Sequence, residues 1–455
     1  MRTRHLAAPG ARRAAAVTAA ALVAVLALAA CDGPVTSLAS SSAGKGAARA
    51  GESSAPSAEQ TGPPTGVDVL TWWNYAEERN TRDLVEQLFA QRYPGARYVD
   101  RWVDGEEYSA QGMMDRIERD HGLVDVYQPR SDEAWLLDDD EGRAEDVTDL
   151  YDEGLRGALP QGVIDLLPVD GRIYRVPLVV VRGNMLWSDR QVLTASGLDP
   201  DAAYPSVDAW ITALRKVRAA GRTPLTLGAW WTHQLLLDDV LLAELGRDAY
   251  AGLWDGSTDW AGAPVVAAFD DFDTIVRLAG EPTLEDDWTP QADRLVDHEV
   301  AFVVMGDWIE PHLAAAHRVL GVDYGAAAMP GTDGSFMLGG LDAGTFAMRA
   351  GGPHPEGARA WLRLVSSPEA QAQIARSLGL LPARTDVDPS GFDQYTRDAL
   401  VHLREDVTVS SSTLGGVVGP DVEVAIQEAG DRYVRHRTGV DGLRRAMARA
   451  VRAGR

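Results

Sequence analysis

Cysteine is almost missing from this chain of 455 residues, because Cys31 is the single copy. A disulfide framework and a cysteine-based zinc or iron–sulfur site are therefore excluded. Positive charge is also in short supply: 43 lysines and arginines stand against 67 acids, for a net charge of −24. A body this acidic repels phosphate backbones, so the composition argues against nucleic-acid binding.

Familiar catalytic motifs are missing as well. The sequence holds no GxxxxGK loop, no GxSxG elbow and no HExxH helix. Its nine histidines are scattered, and the acidic runs at 138–141 and 285–287 lack the glycine and spacing of a calcium loop. We therefore expect no metal site, no cofactor and no enzyme. A carboxylate pair for glycoside hydrolysis stays an open alternative, because its geometry is spatial.

Residues 1–30 have the parts of a secretory signal: an arginine-bearing start, an apolar run over 14–30 and small residues at its end. The run is short and alanine-rich, which disfavours a membrane-spanning helix. It closes with Leu28-Ala29-Ala30-Cys31, which resembles the lipobox of bacterial lipoproteins. The resemblance implies that Cys31 becomes a lipid-modified N-terminus at the extracellular face of the cell membrane. The alternative is a plain signal peptide with an incidental cysteine.

The segment that starts at this cysteine, residues 31–66, is rich in serine, alanine, glycine and proline and has no apolar periodicity. Such a composition cannot bury enough surface to offset its ordering entropy, which predicts a disordered tether. A flexible chain of this length reaches roughly 30–35 Å.

From Val67 onward, strand-like runs alternate with helical ones. This order is typical of βαβ units and a largely parallel sheet covered on both faces. Thr81 is expected to cap a helix, and Ser367 with Pro368 to open another that Gly379 closes. The remaining elements are expected as strands at 67–73, 97–103, 124–128, 176–187 and 300–305 and a helix at 207–220. The sequence predicts an α/β fold with more elements than one sheet can hold.

Tryptophan is the abundant specialised residue, with 13 copies that include the doublets Trp72-Trp73 and Trp230-Trp231. Adjacent residues at the end of a strand point to opposite faces, so we expect at most one tryptophan of each doublet in the core and the other facing a cleft. Flat aromatic faces suit the apolar face of a pyranose ring. Core packing is the alternative for any single tryptophan, but the polar residues after both doublets favour a ligand site.

Several segments together carry a family resemblance, in the order LTWWNYAEE (70–78), DVYQPRSD (125–132), VPLVVVRGNMLWSDR (176–190), AFVVMGDWIEPHL (301–313), MPGTDGSF (329–336), LDAGTFAM (341–348) and LLPARTDVD (380–388). With them the chain resembles the extracellular solute-binding proteins of carbohydrate ABC importers, in particular the glucose- and mannose-type sugar-binding lipoproteins. The resemblance covers the chain from about Val67 to the C-terminal helix.

This resemblance implies a two-lobed α/β fold of the periplasmic-binding-protein (Venus flytrap) type, with a hinge and three crossings between lobes. We expect the crossings near 177, 328 and 378. Lobe 1 would then hold 67–177 plus 329–378, and lobe 2 would hold 178–328 plus 379–455. Such lobes close on a solute by hinge motion, and the permease recognises the closed state.

The same resemblance implies a set of ligand-binding residues, which are Trp72, Trp73, Glu78, Gln128, Arg130, Trp230, Trp231, Asp307, Trp308 and Asp342. Glucose-binding relatives place a histidine where this chain has Arg130. An arginine can offer a fork to a carboxylate or to vicinal hydroxyls, which suggests an acidic sugar. A salt bridge to Asp132 or Glu133 is the equally supported alternative.

The function expected from these observations is a lipid-anchored, monomeric receptor that hands a carbohydrate to the transmembrane subunits of an ABC permease. A receptor of the same fold that signals or binds another solute is one alternative. A secreted glycan hydrolase is the other.

Overall fold

The computed structural model describes residues 63–73, 76–103, 124–129, 143–169, 171–283, 287–339, 341, 344–415 and 417–455. Its strands are β1 (Gly66–Thr71), β2 (Arg97–Trp102), β3 (Val126–Tyr127), β4 (Pro168–Val169), β5 (Arg172–Ile173), β6 (Arg175–Pro177), β7 (Val179–Arg182), β8 (Met185–Asp189), β9 (Thr223–Leu225), β10 (Val300–Val304), β11 (Tyr324–Ala328), β12 (Ser335–Gly339), β13 (Thr345–Met348), β14 (Leu381–Pro382) and β15 (Val407–Ser410).

The helices are α1 (Ala76–Arg92), α2 (Glu153–Ala158), α3 (Gln161–Asp165), α4 (Arg190–Ala195), α5 (Val207–Ala219), α6 (Trp230–Leu245), α7 (Arg247–Asp255), α8 (Ala263–Leu278), α9 (Thr289–Val296), α10 (Glu310–Ala315), α11 (Pro355–Val365), α12 (Pro368–Leu378), α13 (Gln394–Glu405), α14 (Pro420–Val434) and α15 (Val440–Ala453). Short 3-10 turns cover Thr148–Leu150, Asp307–Ile309 and Pro389–Gly391. In the described part of the chain, none of these helices is both long and apolar enough to cross a membrane.

The first sheet has the strand order β2-β1-β3-β13-β6. Strand β1 pairs in parallel with β2 and β3, whereas β13 is antiparallel to both β3 and β6. Val67 and Val69 pack in one apolar cluster with Phe89 of α1 and Trp361 of α11, and Leu70 packs on the opposite face. The sheet is covered on both faces as predicted, but it is mixed rather than largely parallel, because strands from distant parts of the chain complete it.

The second sheet has the order β11-β8-β10-β9, with β10 parallel to β9 and antiparallel to β8. Every residue of β10 is buried, as the predicted strand at 300–305 requires. Phe302 of β10 meets Trp210 of α5 edge to face, with ring centroids 5.9 Å apart. Helices α6, α8, α14 and α15 contribute to the same apolar cluster.

A third sheet has the order β14-β7-β12-β15, and its last two strands, β14 and β15, follow all strands of the first two sheets along the chain. The single strand predicted at 176–187 is instead three strands, with β6 in the first sheet, β7 in the third and β8 in the second. The run therefore changes partners twice, at Leu178 between β6 and β7 and at Gly183-Asn184 between β7 and β8. An apolar run predicts extended backbone but does not show where it changes sheet.

The predicted crossing at 328 falls at the end of β11, in the second sheet. The chain then enters the third sheet through β12 and reaches the first sheet only at β13. The passage to the first sheet therefore lies between Gly339 and Thr345, because β12 intervenes.

Of the helix-end residues predicted from the sequence, Ser367 and Gly379 act as predicted and Thr81 does not. Ser367 caps α12 by accepting a hydrogen bond from the N–H of Ala370, and Gly379 ends that helix in a left-handed conformation, as predicted. Thr81 lies inside α1 rather than at its start, and its hydroxyl hydrogen-bonds Ser377 of α12 at 2.6 Å. Thr81 is thus not a helix cap but a buried residue that links helices α1 and α12 through a hydrogen bond.

Gly357 of α11 lies directly against strand β1. A Cβ atom at this position would stand 1.7 Å from the backbone oxygen of Gly66. Helix α11 can therefore lie on the first sheet only if this position carries no side chain.

We predict that Gly357→Ala lowers the free energy of unfolding by about 2 kcal/mol or more through this overlap. The sign is informative, because alanine in a helix interior is ordinarily about 1 kcal/mol more favourable than glycine. Denaturant unfolding measures the effect. Gly157→Ala in α2, where a Cβ would meet nothing within 4 Å, is the matched control and should not destabilise.

Candidate functional site

The first tryptophan doublet and Gln128 meet where strands β1 and β3 end. The main-chain N–H of Trp72 donates to Gln128 Oε1 at 3.0 Å, and the indole Nε1 donates to the Gln128 carbonyl at 2.6 Å. Gln128 is fully buried. Residues that the sequence predicts to share a site therefore do lie together, although their polar atoms hydrogen-bond to each other.

Both tryptophans of this doublet are core residues, which contradicts the expectation that one of them faces a cleft. Trp72 is 4% exposed and Trp73 is 3% exposed. The two side chains do enter opposite clusters, Trp72 with Leu70 and Trp73 with Val69, and Trp73 also meets Phe346 edge to face at 5.2 Å. Because both faces of the first sheet are covered, pointing to opposite faces still means burial on each.

The second doublet opens helix α6 rather than ending a strand. Trp230 is buried, and its ring lies on Gly430, where a Cβ would come within 1.9 Å of the indole. Its Nε1 donates to Gln234 Oε1 at 2.8 Å, and its ring stacks on His233. Burial lowers the pKa of His233 to about 4, so this histidine is neutral at pH 7.

Trp231 and Trp308 form a partly exposed aromatic pair. Their ring centroids are 6.4 Å apart and the planes are inclined at 42°. Trp308 folds back over Gly306, where a Cβ would lie 1.9 Å from the ring, which explains why glycine occupies the position two residues before it. Among the predicted tryptophans, these two are partly exposed, and both pack against the edge of an apolar cluster.

Asp307 stands between Gly306 and Trp308 but points inward. The side chain is 2% exposed, and its Oδ1 accepts the main-chain N–H of Arg182 at 2.9 Å. Burial raises the pKa of Asp307 to about 7, against the opposing effect of the Arg182 contacts. The carboxylate therefore anchors the turn that carries Trp308.

Of the remaining predicted ligand-binding residues, Glu78 lies in α1 and is partly buried. Arg130 and Asp342 lie outside the described residues, as does the lipidation site Cys31.

Sequence reasoning missed Asp238, a fully buried acid inside the apolar helix α6. Its carboxylate accepts hydrogen bonds from the hydroxyls of Ser411 and Ser412 and from the N–H and hydroxyl of Thr413, at 2.6–3.0 Å. Gln234 Nε2 adds bonds to the carbonyl and hydroxyl of Ser412. An acidic pair within a long apolar run was the available signal, since burying a carboxylate is costly unless donors or a cation compensate it.

A separate group of possible metal ligands, Asp68, Asp125 and His354, lies near the start of β1 and β3, away from the strand ends that carry Trp72 and Gln128. Asp125 accepts from the N–H of Asp68 and from both the N–H and Nδ1 of His354, at 2.7–2.9 Å. Arg101 donates to Asp68 at 2.8 Å. These bonds fasten the start of α11 to the first sheet, which is a structural role.

The arrangement of the sheets matches known two-lobed receptors. A solved structure of the bacterial solute receptor AcbH, reported with an exclusive preference for b-D-galactopyranose, aligns over 85% of this chain and 98% of its own. The TM-score is 0.70 at 15% identity. The predicted two-lobed α/β fold is confirmed.

The bacterial extracellular solute-binding protein family matches residues 104–402, and the chain belongs to this family. A probable sugar-binding periplasmic protein of Rhizobium meliloti is 23% identical over 346 residues, covering 74% of this chain and 81% of that one. An uncharacterized ABC transporter extracellular-binding protein of Pyrococcus horikoshii is 21% identical over 345 residues, covering 75% and 77%. The resemblance seen in the sequence is confirmed.

We predict that Asp238→Asn lowers the free energy of unfolding by about 2–4 kcal/mol, because an amide NH₂ replaces an acceptor among four donors. Denaturant unfolding monitored by circular dichroism measures the loss. Asp270→Asn on the exposed side of α8 is the matched control and should change little. Equal stability of both variants would contradict the anchoring role of Asp238.

Proposed function

We propose that this chain is a lipid-anchored extracellular receptor that captures a carbohydrate between its lobes and delivers it to an ABC import permease. The observation that carries the proposal is the Trp231–Trp308 pair. These two tryptophans are partly exposed, whereas the other tryptophans of the two doublets are buried. Membership of the solute-binding family and the sugar-binding names of its relatives support a carbohydrate as the solute. Import through an ABC permease follows from the same relatives.

Within this function we assign two kinds of role. Trp231 and Trp308 stack on the sugar ring, because their faces are partly exposed. Trp230 and Asp307 hold those rings in place from the core. Trp72, Trp73 and Gln128 shape the first-lobe wall, and Glu78, Arg130 and Asp342 remain proposed hydroxyl contacts.

The lobe assignment is part of the same proposal. The first sheet would form the centre of one lobe and the second sheet the centre of the other, with the third sheet as the connection. The receptor acts as a monomer without a cofactor, and ligand binding shifts the population toward the closed state.

The first test is thermal unfolding of the full-length chain with a panel of neutral, amino and acidic mono- and oligosaccharides. A sugar at 100 times its dissociation constant should stabilise the fold by about 2.7 kcal/mol. Trp308→Ala and Trp231→Ala should remove the shift. Trp102→Ala is the matched control, because Trp102 is an exposed tryptophan on β2 of the first sheet and should retain the shift.

Two results would overturn this proposal. Released product in the incubated samples would point to a glycan hydrolase, and a panel without any shift would exclude the carbohydrate class. A shift only with acidic sugars would support the role of Arg130 in selecting a carboxylate.

The lipid anchor has its own test. Expressed in a bacterial host, the full chain should fractionate with membranes, and its N-terminal peptide should begin at Cys31 with added acyl mass. Cys31→Ser should appear unmodified in the soluble or secreted fraction, because acyl chains supply about 0.8 kcal/mol per buried methylene. An unmodified cysteine in the wild-type chain would instead indicate a plain signal peptide.

A further inference from the structure

A buried arginine on the third sheet is surrounded by polar groups from several elements. Arg182 of β7 is 3% exposed, and its Nε donates to Asn184 Oδ1 at 3.1 Å. Its Nη2 donates to the Ser335 carbonyl at 3.2 Å and lies 3.6 Å from Asp406 Oδ2. With its main-chain N–H on Asp307, this residue joins β7, β12, the start of β15 and the turn that carries Trp308.

This cluster holds more acid than base. Arg182 is the cation, and three carboxylates act on it, those of Asp239, Asp307 and Asp406. Asp239 is fully buried, and neither of its oxygens has a hydrogen-bond partner among the described residues. Asp239 and Asp307 are buried while Asp406 is partly exposed, so one guanidinium faces two buried carboxylates, and burial penalises the charged form of each.

Burial disfavours the charged form of both Asp239 and Asp307. Burial and the charge of Asp238 raise the pKa of Asp239 well above its ordinary value. Burial raises the pKa of Asp307 to about 7, so the charge of Asp307 changes near neutrality.

The elements that hold the aromatic pair also hold this cluster. Asp307 is adjacent to Trp308 in the same 3-10 turn, and Asp239 follows Trp231 in helix α6. Asp307 and Trp308 are consecutive residues of this short turn, so a shift of the Asp307 carboxylate reaches Trp308 through their shared backbone. The proton on Asp307 and the geometry of the pair are thus mechanically linked.

We propose that Asp307 is a positioning residue whose proton controls the placement of the Trp308 ring, and through it the affinity for solute. When ionised, Asp307 is drawn to Arg182, which holds the turn and keeps the two rings together. When protonated, it loses this attraction, and the ring of Trp308 loosens. The link to affinity rests on the proposed function, while the link to ring placement does not.

Other titratable groups lie near the Asp307 carboxylate, and the experiment must distinguish their effects from that of Asp307. Tyr395 of α13 interacts with Asp307, and Glu310 of α10 acts on Tyr395. His402 of α13 bonds Asp406 through Nδ1 at 2.9 Å, which places a second titratable side chain next to this cluster. A pH effect alone would not distinguish Asp307 from His402.

The test is the fluorescence of Trp308 as a function of pH, taken on the full chain as the emission of wild type minus that of Trp308→Phe. We expect a red shift as the pH falls, with a midpoint near 7. Asp307→Asn keeps an oxygen for the Arg182 N–H and should abolish the transition. His402→Gln should retain it. A flat wild-type curve, a transition that survives in Asp307→Asn, or its loss in His402→Gln would overturn the proposal.

A second variant covers the case in which Asp307→Asn does not fold. The Tyr395 hydroxyl lowers the pKa of Asp307, so Tyr395→Phe should move the midpoint to higher pH. An unchanged midpoint would contradict the assignment. For any sugar that the thermal panel identifies, the dissociation constant should be at least about fivefold larger at pH 5.5 than at pH 8, and independent of pH in Asp307→Asn. Because the fluorescence arm needs no sugar, a failed panel and a failed proton link remain distinguishable.

Discussion

The hydrogen bond from the main-chain N–H of Arg182 to the carboxylate of Asp307 joins two segments 125 residues apart, in a region closed to water. An acid is buried only where a donor or a cation compensates it, so this bond settles where the turn after β10 lies. The same turn places the partly exposed Trp308 beside Trp231. The position of this ring pair therefore depends on a polar contact in the interior.

The same separation of roles recurs in helix α6. Trp230 packs inward on Gly430, and Asp238 points inward to the segment Ser411–Thr413. Trp231, by contrast, is partly exposed. Helix α6 therefore carries inward-facing anchors and a partly exposed tryptophan side by side.

Local signals in the sequence were enough for features that depend on a few neighbouring residues. The cap at Ser367 and the left-handed Gly379 bound helix α12 as predicted, because both act within one turn of backbone. Trp72 shows where such reasoning stops: its alternation with Trp73 was correct, but burial on both sides depends on what covers the first sheet. The run 176–187 likewise predicts strand and conceals three separate pairings.

The sequence by itself determined the α/β class, through the alternation of strand-like and helical runs, and the solute-binding family, through the resemblance of several segments in order. Only the tertiary structure decided which tryptophans keep exposed surface and that Asp307 points inward. Burial and electrostatic balance are set by groups far apart in sequence, such as Arg182 and Tyr395 around Asp307. A sequence pattern can identify a polar residue, whereas the groups that it contacts are set only when the chain folds.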